Sequence, residues 1–402
     1  MNSKCYCGAL DIGSRYITFI IGKVERKSLS LIGHMRVPSV GVLKAQIEDM
    51  RGLTQVLGDF FESTSQRYTV LPDTLSLSES GSHLRNMRYE SSLQLKGFQH
   101  IITMSDVEKV NRLALTKELP ASDVFLHHAR QFYALNGAVV DNPVGHVAGQ
   151  LDVCYNALIG NAQRIKEQLY SVNQFGFKVR NLVFSGIASA LATTTPVERE
   201  QGVCVVNIGD QVTEFVVYKH QIPVSMGIIP VGGKNFTYDL CSGLRIHFDD
   251  AERLKLEHGI PSMNLGEQET DVWVVGNRTI GDKRVKLKNF RTIIQARAQE
   301  LFDYIYKFVK SDLGETEFLT GTILTGGGAL LKNIEKTAAQ TFHCDCSVRG
   351  PLAEVDNTLK SPIYSTCFGL LHYALQQPIV PQKTSNSMWK KITALFRENK
   401  TV

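Results

Sequence analysis

Residues 202–220 read GVCVVNIGDQVTEFVVYKH: an apolar strand-like run, an x-Ile-Gly-x turn, and a second apolar run rich in β-branched and aromatic residues. That order is the signature of a β-hairpin. The same order stands near the start of the chain, where CGALDIGSRYITFIIGKV at 7–24 passes through a tight polar turn at Asp11–Ser14 into Thr18, Phe19, Ile20 and Ile21. Two such hairpins roughly 190 residues apart predict an internal duplication, with two related α/β domains facing each other.

Outward from the hairpins the pattern changes period. An amphipathic stretch at Ile47–Tyr68 and a second at Ala162–Gln174 read as helices, with a mixed region at 82–160 between them. Farther on, GTILTGGGALLKNI at 321–334 predicts a strand that runs through Gly326, Gly327 and Gly328 into a helix. Glycines at such a turn let the backbone approach a ligand and aim helix N–H groups at it. QQPIVPQKTSNS at 376–387 has prolines, serines and no apolar period, and reads as a linker.

The chain has 402 residues, 43% hydrophobic and 21% charged, which excludes collagen-like, disordered and disulfide-framework classes and is too long for one core. Eight cysteines are too sparse for a disulfide scaffold, and MNSKCYCGAL lacks the apolar core of a secretory signal, so a cytoplasmic location is expected. The formal charge of +5 is too mild to argue for nucleic acid. Net +3 of it lies in 388–402, where Lys390, Lys391, Arg397 and Lys400 face Glu398 alone. In NSMWKKITALFRENK at 386–400, Met388, Trp389, Ile392, Leu395 and Phe396 form one helical stripe with the basic residues off it. Such a helix fits an in-plane anchor on anionic lipid, a helix docked on its own domain, or one seated in a partner groove.

Taken as a phosphate site, the first turn would present backbone N–H groups at Gly13 and Ser14 and let Asp11 hold a magnesium ion through water. A plain structural hairpin is the competing reading. Two hairpins closed by a triple-glycine turn, in this order, resemble the actin, Hsp70 and sugar-kinase superfamily. More specifically, IPVGG at 229–233 with Thr237 and Asp239, AERLK at 251–255, Gly259, NPVG at 142–145 with Gly149 and Leu151, IASA at 187–190 and SPIYSTCFGLL at 361–371 resemble the bacterial cell-division protein family FtsA over essentially the whole chain.

The resemblance implies an actin-like fold of duplicated ribonuclease-H-like domains, an FtsA-type inserted subdomain and a C-terminal amphipathic helix. It divides the chain into subdomain IA at 1–81, 162–198 and 362–375, the insert IC at 82–161, IIA at 199–241 and 315–361, IIB at 242–314, a linker at 376–387 and a membrane-targeting helix at 388–400. It implies ATP and Mg2+ as cofactors. Asp11, Gly13 and Ser14 would form the first phosphate loop, with Asp11 toward the metal and Arg15 a further cofactor-binding residue. Gly209 and Thr213 would serve the second, Gly326, Gly327 and Gly328 the adenosine, and Gly232 and Gly233 would also bind the cofactor. Glu252 and Lys255, three apart on one helix face, would flank the ribose and adenine, or form an ordinary helical salt bridge.

Departures qualify the cofactor expectation. The second hairpin has Asn207, Asp210, Gln211, Val212, Thr213 and Glu214 where the family has an aspartate, small glycines and a Thr-Thr-Asp. Asn207 brings no charge for magnesium, and Asp210 would repel a phosphate. Ser185 and Gly186 stand where the family tends to carry a glutamate, the obvious base for an attacking water. ATP binding with slow or absent hydrolysis is therefore expected.

By the same resemblance the chain would be a filament-forming, peripheral protein on the cytoplasmic side of the inner membrane at the septum. It would anchor the FtsZ ring there and recruit later divisome proteins. The self-assembled polymer would hold many weak anchors on the membrane at once. A pilus-assembly relative and a small-molecule kinase of the same superfamily are the alternatives. His127 and His128 read as surface or packing residues, FHCDCSV at 342–348 as too few ligands for zinc, and KRVKLKNFR at 283–291 as a solvated strand or loop.

Overall fold

The computed structural model describes residues 5–25, 28–72, 74–95, 100–259, 271–274, 281–314 and 319–376. The first hairpin, Cys5–Ile12 with Tyr16–Glu25, is extended by Ser28–Pro38 on one side and by Thr74–Glu79 and Lys178–Phe184 on the other. The hairpin pairings are antiparallel and the last two are parallel. The second hairpin, Val203–Ile208 with Thr213–Lys219, repeats this plan with Ile222–Ile229, Gly321–Thr325 and Cys346–Val348 in the equivalent places and directions. The fold is duplicated, as the paired hairpin motifs imply.

Alternation along the strands explains the layers, because residues two apart share a face. Leu10, Ile12, Ile17, Phe19 and Ile21 pack with Leu53, Leu57, Phe60 and Phe61 of the helix Met50–Arg67 and with Val172 of the helix Ala162–Asn173. Ala9 and Ile20, on the other face, join a core that also contains Val203, Val205 and Val216 of the second sheet. The helices Ser185–Thr193 and Ser365–Gln376 lie in this shared layer, the first buried along nearly its whole length and the second from Ser365 to Leu371. The far face of the second sheet, through Val206, Ile208 and Phe215, packs on helices Gly233–Leu244, Leu287–Leu313 and Ile334–Phe342.

A third sheet, ordered Leu84–Gln94, Gln150–Asn161, Asp123–Leu135 and Ala138–Val140, leaves the first sheet after Glu79 and carries the helix Met104–Leu115. A small hairpin, Asp271–Val274 with Lys283–Lys286, sits on the second half. Its second strand runs straight into a long helix, and Val285, Leu287 and Phe290 are buried, so 283–291 is not simply solvated. The helix expected directly after the triple glycine is delayed. Gly327–Leu330 makes a short 3-10 turn, Asn333 takes a left-handed backbone (φ +60), and the helix begins at Ile334. The linker from 377 onward and the expected helix at 388–400, with Met388, Trp389, Lys390, Lys391, Ile392, Leu395, Phe396 and Arg397, lie outside the described residues.

Candidate functional site

The two halves enclose a cavity of about 450 Å³ lined by both hairpin turns, the N-terminus of Gly233–Leu244 and the triple glycine. Asp11, Gly13, Ser14, Arg15, Gly209, Gly233, Glu252, Lys255, Gly326, Gly327 and Gly328 all line it. Thr213 and Gly232 do not: the buried Thr213 hydroxyl donates to Val231 O (2.8 Å), and Gly232 N donates to Asn235 Oδ1 (2.9 Å).

The two turns close alike. Gly13 N donates to Tyr16 O (3.0 Å) and Gly209 N to Val212 O (2.9 Å), so these two N–H groups are engaged within their own turns. Ser14 Oγ accepts from Ala45 N (2.8 Å). The glycine turn needs its glycines. Gly326 has φ +82, and a Cβ there would stand 2.4 Å from Asn207 Oδ1 and 2.6 Å from Ile208 O, while one on Gly328 would meet Ile208 Cγ2 at 2.3 Å. Gly233 opens a helix toward the cavity, where its positive end favours an anion.

Charge is distributed around this cradle in two groups. Lys255 Nζ donates to Gly233 O (2.9 Å), Thr237 Oγ1 (2.8 Å) and Glu252 Oε2 (2.7 Å), and Glu252 Oε1 accepts from Arg15 Nη1 across the cleft (2.8 Å). Burial would raise the Glu252 carboxyl, but the bonds from Lys255 and Thr237 outweigh it and bring it down to about 2. Arg15 Nη1 is also 3.8 Å from Asp210 Oδ1, so the acid expected to repel a phosphate has a cationic neighbour.

The second group is acidic and deep. Asp11 Oδ1 accepts from Ser78 Oγ (2.6 Å), and burial pushes its carboxyl above the ordinary range. Opposite it, Glu214 accepts from Ser185 Oγ (3.0 Å), from Asn207 Nδ2 (3.0 Å) and from Ser80 Oγ. Burial raises Glu214 to about 7, against the Ser80 and Ser185 bonds, with the Asp11 charge adding to the rise. The asparagine that brings no charge is thus bonded to a carboxylate that does, and Ser185 holds the same group. Two buried carboxylates, with Asn207 and serine oxygens beside them, fit a hard divalent cation such as magnesium, whose charge would compensate them.

Sequence reasoning missed Arg36, Ser78 and Ser80 as wall residues and read Glu214 only as a departure. Ser78 reaches Asp11 because the strand Thr74–Glu79 pairs in parallel with Cys5–Ile12, Leu77 opposite Leu10. Arg36 stacks on the Tyr16 ring (3.7 Å to its centroid) from the neighbouring strand. His127 is half-buried and its Nε2 accepts from Phe184 N (2.9 Å) at the start of the helix Ser185–Thr193, a packing role. Among the described residues no helix is long and apolar enough to cross a membrane, and no cluster of three His, Cys, Asp or Glu side chains could hold a metal.

The family model "Cell division protein FtsA" matches residues 204–369. The cell division protein FtsA of Neisseria meningitidis is 26% identical over 377 residues, covering 92% of this chain and 90% of that protein. FtsA proteins of Borreliella burgdorferi and Escherichia coli match over similar spans. Among solved structures, the PilM-PilN type IV pilus biogenesis complex superposes with a TM-score of 0.64 at 15% identity, covering 92% of this chain and 99% of that one. MreB 5 of Spiroplasma citri bound to AMPPNP does so at 0.52 and 14% identity, covering 92% and 96%. The solved structures establish an actin-like fold, and over nine-tenths of its length the sequence is similar to FtsA cell-division proteins.

Proposed function

We propose that this chain is a nucleotide-binding, actin-like cell-division protein that self-assembles and links the FtsZ ring to the cytoplasmic face of the inner membrane at the septum, recruiting later divisome proteins. The observation that carries the nucleotide reading is the cavity itself, where Gly13, Gly209, Gly233 and Gly326–Gly328 converge from both halves around a helix N-terminus. The AMPPNP in the MreB 5 structure supports the same use of the fold. ATP would lie with its phosphates between the Asp11–Arg15 and Asn207–Glu214 turns, its ribose at Glu252 and Lys255, and its base at Gly326–Gly328. Asp11 and Glu214 would hold Mg2+, which supplies phosphate charge neutralisation. Hydrolysis would be slow, because Ser185 and Gly186 give the linking helix no carboxylate to orient water.

Membrane attachment would come from 388–400. Each exposed basic residue near an anionic surface is worth about 1 kcal/mol, so a single tail binds reversibly and a polymer of heads is needed to retain it. Subdomains divide as IA (1–81, 162–198, 362–375), IC (82–161), IIA (199–241, 315–361) and IIB (242–314). The test is co-sedimentation of the full chain with anionic vesicles, with and without FtsZ. The wild type should pellet and carry FtsZ down, and Trp389→Glu should leave both in the supernatant. Unchanged pelleting of the variant would overturn the tether, and wild-type pelleting without FtsZ would overturn the link.

A further inference from the structure

We propose that Arg36 is the side chain that grips the phosphate chain of the nucleotide, an inference that rests on the nucleotide reading of the cavity and names the residue that recognises the polyphosphate. Leu10 pairs with Leu77, Asp11 with Thr18 and Thr18 with Arg36, so Ser78, Asp11, Thr18 and Arg36 form one row across four neighbouring strands. All four line the cavity. Residues in register across a sheet share a face, so the backbone presents Arg36 to the same space as Asp11, with the short, uncharged Thr18 between them.

Among the described residues four cationic side chains line the cavity, and three are engaged. Lys255 directs all three of its donors at Gly233 O, Thr237 Oγ1 and Glu252 Oε2. Arg15 is bonded to Glu252 and close to Asp210, and Lys332 Nζ donates to Glu257 O (3.2 Å). Arg36 is the fourth. It makes no hydrogen bond or ion pair with another described residue, and its Nε is buried without an acceptor. A buried N–H left unpaired is costly, and an anion in the cavity would satisfy it.

Tyr16 holds this cation in place, with the guanidinium 3.7 Å from its ring centroid. Stacking on an aromatic face fixes the planar fork and leaves its in-plane N–H groups free, which suits bidentate contact with phosphate oxygens. Tyr16 O also accepts from Gly13 N, so the residue that closes the first turn sets the cation beside it. Arg36 stands two strands from Asp11, about 10 Å between backbones, on the side away from Ser78. A cation at Asp11 and the guanidinium would therefore take different oxygens of the chain.

The test is calorimetric titration of the full chain, magnesium present, with ATP, tripolyphosphate and adenosine as probes. Arg36→Met, which keeps the apolar stem, should weaken ATP and tripolyphosphate at least about tenfold, as loss of charge-assisted hydrogen bonds does, and adenosine less than about twofold. Arg36→Lys should fall between, because an ammonium keeps the charge and loses the fork. Equal binding of ATP and tripolyphosphate by wild type and Arg36→Met would overturn the inference and leave the nucleotide reading standing. Tripolyphosphate bound through Arg36, with ATP no tighter and adenosine not bound, would overturn the nucleotide reading and leave the phosphate grip. Wild type that binds neither ATP nor tripolyphosphate would overturn both. If the variants do not fold, phenylglyoxal modification of the wild type decides, read by peptide mass spectrometry against exposed Arg253 outside the cavity. Tripolyphosphate should slow modification of Arg36 several-fold and adenosine should not; an unchanged rate with tripolyphosphate would overturn the inference.

Discussion

The carboxylate of Glu214 accepts hydrogen bonds from Ser80, Ser185 and Asn207, all of them neutral donors, so its negative charge is solvated but not compensated. That imbalance is why burial raises it, and it sets the direction of a prediction. Glu214→Gln keeps the size and removes the charge. Nucleotide affinity measured calorimetrically should then lose its magnesium dependence by on the order of tenfold, about 1.4 kcal/mol, while affinity without magnesium rises because a like charge near the phosphates is gone. Equal magnesium dependence in both proteins would remove Glu214 from the metal site. Glu252 is the opposite case, a carboxyl lowered from 4.5 to about 2 by its Lys255 and Thr237 bonds despite burial. A depressed carboxyl contributes stability that is present above its unfolded value and is lost as the folded state takes up its proton. The melting temperature should therefore fall as pH drops from 4.5 toward 2, and Glu252→Gln should fall less steeply across that window. A parallel fall in the two proteins would refute the assignment.

At the scale of the element, the shared apolar layer depends on a close crossing of two helices. Gly369 of Ser365–Gln376 lies against Ser185–Thr193 so tightly that a Cβ would stand 1.6 Å from Ala188 O. Gly369→Ala must push the helices apart or distort one, and should cost about 3 kcal/mol or more, read as a lower urea midpoint with an unchanged slope. Unaltered unfolding would mean that the helices do not meet there. Elements were legible where one rule decides them. The hairpins at 7–24 and 202–220 alternate between apolar faces, and Ala162–Asn173 begins at Asn161, whose Oδ1 accepts from Gln163 and Arg164 N–H. The helix after Gly328 was misplaced because Asn333 adopts a left-handed backbone, which its sequence permits but does not require. Glu214 was undervalued for a different reason. Its partners Ser80 and Ser185 lie 134 and 29 residues away, and no local pattern announces a contact made by the crossing of two halves.

The molecule as a whole is held by two unlike seams. Behind the cavity the halves share an apolar core through Ala188, Phe368 and Leu370, and at its mouth they meet through polar contacts. There Arg15 reaches Glu252 and Lys44 N donates to Gln211 Oε1 (2.9 Å), while deeper in the cleft Ser80 reaches Glu214. The third sheet adds a strap, with Gln131 Nε2 donating to Pro223 O (3.2 Å) and Asn156 Nδ2 to Val224 O (3.0 Å) on an edge strand of the second half. Duplication was legible at this scale because the two motifs recur in order, but the division of labour between seams depends on which side chains face each other. Its mechanical consequence is a cleft that hinges at the core and is clasped at the mouth. Arg15 is substantially exposed, so each of its ion pairs is worth about 1 kcal/mol or less, enough to shift an opening equilibrium several-fold without touching global stability. Arg15→Ala should therefore speed amide exchange at 44–47 and 209–211 by roughly threefold to fivefold while leaving the strand Val203–Ile208 and the urea midpoint as they were. Equal acceleration along that core strand would mean global loosening, and no acceleration would mean that the Lys44–Gln211 contact holds the mouth without Arg15.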